Sequence, residues 1–132
     1  MVSQILVLME NSDHFAAVRA CTEKAGYSLL LVDSFAKATE ILSHTSVDLI
    51  ISDVHLQNGG SVFDFLKWVK SQDSIKDIPF ALFSLEPNKL AKYLSHGIIA
   101  AGRQMGAAKY ISMEHFDSGL FVEEIVELLR KQ

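Results

Sequence analysis

The stretch Val47-Asp48-Leu49-Ile50-Ile51-Ser52-Asp53 constrains this chain most, because an apolar run of strand length stops abruptly at a carboxylate. A strand with apolar residues on both faces belongs in a parallel sheet covered by helices, and in such sheets ligands gather beyond the carboxyl ends of the strands. Asp53 stands at such an end. Position alone would equally let it open a turn, so its role depends on what the other strands bring to the same edge.

Four further runs have strand length: Gln4 to Met9, Tyr27 to Val32, Phe80 to Phe83 with Ser84 at its end, and Lys109 to Ser112. Between them apolar residues recur at helical spacing. Phe15, Val18, Cys21, Thr22 and Ala25 line one predicted helix, which the residues from Glu10 to Asp13 can cap and which Gly26 can end with a positive φ. Ser34 is placed to cap a second helix carrying Phe35, Ala38, Ile41 and Leu42, and Ser61 a third carrying Val62, Phe65, Leu66 and Val69. Pro87 suits the first turn of a fourth. Its continuation from Asn88 to Gly97 reads as helical, whereas Ile98 to Gly106 is apolar, punctuated by glycine and not settled by its pattern. Asp117 or Ser118 can cap the last helix, with Phe121, Ile125, Leu128 and Leu129 inward.

Strands alternating with helices predict a doubly wound α/β domain, a five-stranded parallel sheet between two helical layers. The 132 residues, 49% of them apolar, suit one domain spanning 1–132. In the flavodoxin-like strand order 2-1-3-4-5, strands one and three are neighbours, so Glu10 and Asp53 would share a crevice into which Ser84 looks. Two carboxylates without a nearby thiol or histidine pair favour a hard cation, most simply magnesium completed by water. That set suits phosphoryl transfer to a carboxylate.

The composition closes off other classes. The single cysteine, Cys21, excludes an intrachain disulfide and points to a reducing, cytoplasmic setting. The formal charge of −4 offers no general attraction to nucleic acid, and no apolar run approaches a membrane span. Gly59-Gly60 lacks the lysine of a phosphate loop, and no GxSxG elbow occurs.

From Gln4 onward the chain resembles the receiver domain of two-component response regulators, most specifically in VDLIISDVHLQNGGSVFDFLKWVKS. The resemblance implies that Asp53 is the phosphoacceptor, that Glu10 and the backbone carbonyl of His55 join it as magnesium ligands, that Ser84 contacts the phosphoryl group, and that Tyr110 is the switch aromatic. It implies a histidine kinase or phosphotransfer protein as phosphodonor, and a stand-alone module that catalyses only its own modification and signals by binding an as yet unknown protein. Two positions depart from the family pattern. Met9 stands where the family has a second acid, and Met113 where it has the lysine that pairs with the phosphoryl group. Lys109 is no substitute, since four strand residues span roughly 13 Å. The stretch from Ser84 to Gly106 is also longer than in the family, by about two helical turns. The alternative implied by these departures is a pseudo-receiver that binds proteins without being phosphorylated.

Overall fold

A computed structural model describes residues 2–10, 12–54, 62–85, 97 and 99–130. Five parallel strands form one sheet: β1 (Gln4–Leu8), β2 (Ser28–Val32), β3 (Leu49–Asp53), β4 (Phe80–Leu85) and β5 (Lys109–Met113), in the order β2-β1-β3-β4-β5. The predicted order is therefore the observed one, with β1 and β3 adjacent at the centre.

The helices are α1 (Phe15–Lys24), α2 (Phe35–His44), α3 (Val62–Ser71), α4 (residues 99–104) and α5 (Ser118–Arg130). The strand pleat sends alternate side chains to opposite faces, and two apolar clusters result. Leu6, Leu8, Ile50, Phe80 and Leu82 pack under α2 and α3, where Phe65 meets Phe35 and Phe80 edge-on at 5.1 and 5.4 Å. Ile5, Val7, Ile51, Phe83 and Ile111 pack under α1 and α5, against Val18, Phe121, Ile125 and Leu128. The three middle strands carry almost nothing but buried apolar residues because both of their faces are covered.

Local chemistry fixes the ends of these elements. Ser34 Oγ accepts the Lys37 amide at 3.2 Å and starts α2; Asp117 Oδ1 accepts the Leu120 amide at 3.1 Å and starts α5. Gly26 ends α1 at φ 93°, with the Tyr27 amide reaching back to the Thr22 carbonyl at 3.2 Å. The start of α1 differs from expectation. A 3-10 turn over Ser12–His14 precedes it, and no side chain caps it.

Several bounds also move. β3 begins at Leu49, and the preceding Asp48 bonds Gln4 twice: its carboxylate accepts the Gln4 amide and its amide donates to the Gln4 carbonyl, both at 2.8 Å. Strands β4 and β5 run further than their apolar residues suggest, since Ser84 pairs in register with Ser112 and Leu85 with Met113. The unsettled apolar stretch resolves into α4 and a turn ending at Gly106, whose φ of 101° demands glycine. The helix expected from Pro87 through Asn88 to Gly97 lies outside the described residues except for Gly97, which is helical, and the Ser61 cap lies outside them as well. Among the described residues no helix is long and apolar enough to cross a membrane.

Candidate functional site

A parallel sheet ends all its strands at one edge, and the register states which residues meet there. Leu8 is level with Ser52, Asp53 with Phe83, and Ser84 with Ser112. Adjacent strands lie about 4.8 Å apart, so Asp53 as the last residue of β3, Glu10 two residues past β1, and Ser84 near the end of β4 come to one rim. Asp53 and Glu10 are half-buried. The pairing that sequence reasoning needed, β1 beside β3 beside β4, is present.

The pleat adds a distinction that sequence spacing did not reveal. Asp53 follows Ile51 on the α1/α5 face, where Met9 and Met113 are also buried, at 3% and 5% exposure. Ser84 follows Leu82 on the α2/α3 face, level with Ser112 and two residues beyond the level of Tyr110, which packs half-buried against that cluster.

Ser84 is fully buried, and its hydroxyl has no hydrogen-bond partner among the described residues. Ser52, equally buried, has its hydroxyl donating to the Asp53 carbonyl at 3.1 Å.

The residues standing where cationic and acidic side chains would strengthen such a site are committed elsewhere. Met113 Sδ accepts the Asp117 amide at 3.5 Å, which turns its side chain toward the start of α5. Lys109 forms ion pairs with Glu124 and, at 3.1 Å, with Glu127 on α5. Those carboxylates, Glu124 foremost, hold its ammonium above the ordinary lysine range against the opposing effect of burial. It therefore belongs to the flank of the sheet and not to the rim.

Sequence reasoning missed an aromatic series beside the site. Phe83 meets Phe121 edge-on at 5.7 Å, Phe121 meets Phe116 at 5.3 Å, and Phe116 meets His14 at 6.0 Å. Phe116 and His14 lie in short connections with no periodicity, so no pattern could have flagged them. His115, in the connection between β5 and α5, is exposed. His55, the expected source of a ligating carbonyl, lies outside the described residues.

Among the described residues no group of three or more acids, histidines or cysteines could hold a metal ion. Glu10 and Asp53 supply two hard oxygen donors, which fits a cation that keeps most of its water, as magnesium does, and does not fit zinc.

No family model matches the chain. Over 96 residues, 70% of its length, it is 29% identical to the two-component response regulator ORR7 of Oryza sativa subsp. japonica, and the match spans 45% of that protein. Among solved structures it is similar to the chemotaxis response regulator CheY4 of Vibrio cholerae, with a TM-score of 0.81 and 20% identity over 98% of this chain and 100% of that one. It is also similar to the signal receiver domain of a signal transduction histidine kinase from Syntrophus aciditrophicus (TM-score 0.77, 22% identity, 98% and 92% covered) and to a response regulator from Thermotoga maritima (0.79, 20%, 98% and 99%).

Proposed function

The chain has the fold of a response-regulator receiver domain, and from that premise we propose that Asp53 accepts a phosphoryl group from a histidine kinase or phosphotransfer protein and that the modified chain signals by binding another protein. The observation that supports this reading best is the register that ends β3 at Asp53 beside the buried Ser84 of β4, whose hydroxyl has no partner among the described residues. A phosphoryl oxygen arriving from Asp53 gives that hydroxyl an acceptor, and the hydrogen bond gained favours the phosphorylated arrangement.

In the transfer, an Asp53 carboxylate oxygen attacks phosphorus, the phosphorus–nitrogen bond of the donor phosphohistidine breaks, and the imidazole nitrogen keeps the electron pair and takes a proton from solvent. Glu10 and Asp53 would hold a magnesium ion together with the His55 carbonyl, and this ion would offset the charge of the phosphoryl oxygens. The chain acts only on itself. Drawing Ser84 toward the rim changes the space beside Leu82 and Tyr110, on the α2/α3 face, and this is the route by which the modification biases a partner surface.

Incubation with magnesium and a small phosphodonor tests the reading. An acid-labile mass increase that Asp53→Asn abolishes is the expected result, and an unmodified wild-type chain overturns it. The burial of Met9 and Met113 in one apolar cluster favours a second reading, a pseudo-receiver that binds its partner unmodified. Partner binding that is identical for the wild type and Asp53→Asn, with and without phosphodonor, would establish that alternative.

A further inference from the structure

An acyl phosphate can be destroyed at two atoms. Attack at phosphorus returns the carboxylate; attack at the acyl carbon consumes the side chain. This inference rests on the proposed phosphorylation of Asp53 and concerns the second route.

Parallel register partners present their side chains to the same face. On one side Asp53 is level with Phe83, 1% exposed; on the other, the β1–β3 pairing ends at Leu8 and Ser52, which Met9, 3% exposed, and Asp53 each follow by one residue. Both neighbours belong to the apolar cluster under α1 and α5, and Phe83 is backed by the aromatic series through Phe121 and Phe116. Asp53 thus stands at the end of β3 between two neighbours of that apolar cluster. The nearest built-in nucleophile for its carboxyl carbon is the amide nitrogen of the next residue, whose attack would close a five-membered imide and expel phosphate. In this fold the Val54 amide donates to the Phe83 carbonyl at 3.0 Å, which extends the sheet ladder past Asp53 and keeps that nitrogen turned toward β4.

We propose that Met9, Phe83 and the Val54–Phe83 hydrogen bond form a sleeve that shields the acyl carbon of phosphorylated Asp53 and leaves only its phosphorus open to reaction. Met9 and Phe83 are positioning residues here. They take no part in transfer and determine which atom of the product an incoming nucleophile can reach. The methionine at position 9 then has a use of its own, since a carboxylate there would carry water to the flank that a thioether keeps dry.

Hydroxylamine reads the acyl carbon directly. Its nitrogen attacks the carbon, the carbon–oxygen bond to phosphate breaks, inorganic phosphate leaves with the electron pair, the nitrogen loses a proton to solvent, and the side chain becomes a hydroxamate of distinct mass. The phosphorylated chain is freed of phosphodonor, exposed to hydroxylamine in native buffer and in urea, and followed by mass spectrometry. The folded wild type is expected to form the hydroxamate about tenfold more slowly than the unfolded chain. Met9→Leu should match the wild type, folded Met9→Asn should react about fivefold faster than wild type, and all three should agree in urea. Equal folded rates for wild type, Met9→Leu and Met9→Asn overturn the sleeve, as does a folded wild type that reacts as fast as the unfolded one. If no phosphorylated chain forms at all, the phosphorylation reading falls and the sleeve falls with it; if it forms and the rates do not differ, only the sleeve falls.

Discussion

The two faces of the sheet end differently at the rim. Under α1 and α5 the last residues are Met9, Phe83 and Met113, all buried and apolar, beside the single carboxylate of Asp53. Under α2 and α3 the corresponding positions are hydroxyls: Ser52 and Ser84 fully buried, with Ser112 beside Ser84 and Tyr110 one step back. Both faces are equally well packed lower down, so the contrast is confined to one level of the sheet. One face thus ends in apolar side chains around a half-buried carboxylate, whereas the other ends in hydroxyls.

The largest expected effect tests whether the faces are alike in packing and unlike only at the rim. Phe65→Ala under α3 and Phe121→Ala under α5 each remove a fully buried ring with edge-on aromatic neighbours. Each should lower the unfolding free energy by about 3–5 kcal/mol, measured from urea midpoints at constant slope. Only Phe121→Ala should also speed hydroxylamine attack on phosphorylated Asp53, because its ring backs Phe83. If Phe65→Ala does so equally, the distinction between the faces is lost.

The next effect acts on the hydroxyl face alone. A Cβ on Gly102 in α4 would fall 2.5 Å from Leu82 Cδ1, and Leu82 is level with Tyr110 and two residues before Ser84. Gly102→Ala should therefore cost about 1–3 kcal/mol by overpacking and should alter the Tyr110 environment. Tyr110 resonances in NMR spectra are the readout. A variant as stable as wild type with unmoved Tyr110 signals would mean that α4 is not seated on this face through Gly102.

A smaller change should have the opposite sign. Ser84→Ala removes a buried hydroxyl that has no partner among the described residues, so the unmodified chain should keep its stability or gain up to about 1 kcal/mol. The same substitution should abolish any difference in partner binding between phosphorylated and unphosphorylated chain. A loss of stability would mean that the hydroxyl is satisfied in the resting protein, and the rim would lose its sensor.

How much of this was legible beforehand follows from what each feature depends on. The strand order and the helix faces depend on hydrophobic periodicity, and Ile5, Phe65 and Ile125 fell where period and burial required. Asp53, Glu10 and Ser84 could be brought to one edge because every strand of a parallel sheet ends at the same side. The face on which each side chain lies was not legible, because it depends on pleat and register to a single residue; β4 in fact runs past Ser84 to Leu85. The series Phe83–Phe121–Phe116–His14 joins three stretches distant in sequence, and nothing local signals it. Met113 was read as a missing lysine, and that reading could not supply its actual contact with the Asp117 amide.

The smallest effect lies at the outer margin of the α1/α5 face, where Lys109 joins β5 to α5 through Glu124 and Glu127. Its side chain is 30% exposed, so the pairs contribute no more than about 1 kcal/mol each. The pairing holds the folded ammonium above the ordinary value of 10.5. A group whose folded pKa is raised gives its full stabilisation while it is protonated in both states, and this is lost as pH rises through the folded value. The difference in unfolding free energy between wild type and Lys109→Met should therefore be constant from about pH 7 to about pH 10 and shrink above that. Urea titrations of both chains across the range provide the measurement, and subtracting one from the other removes the common titration of the other lysines and tyrosines. A difference that persists unchanged to about pH 12 would mean that Lys109 stabilises through its aliphatic stem rather than its charge. In that case even the exposed margin of this face would be held by apolar contact, and the contrast with the hydroxyl face would extend from the rim to the flank.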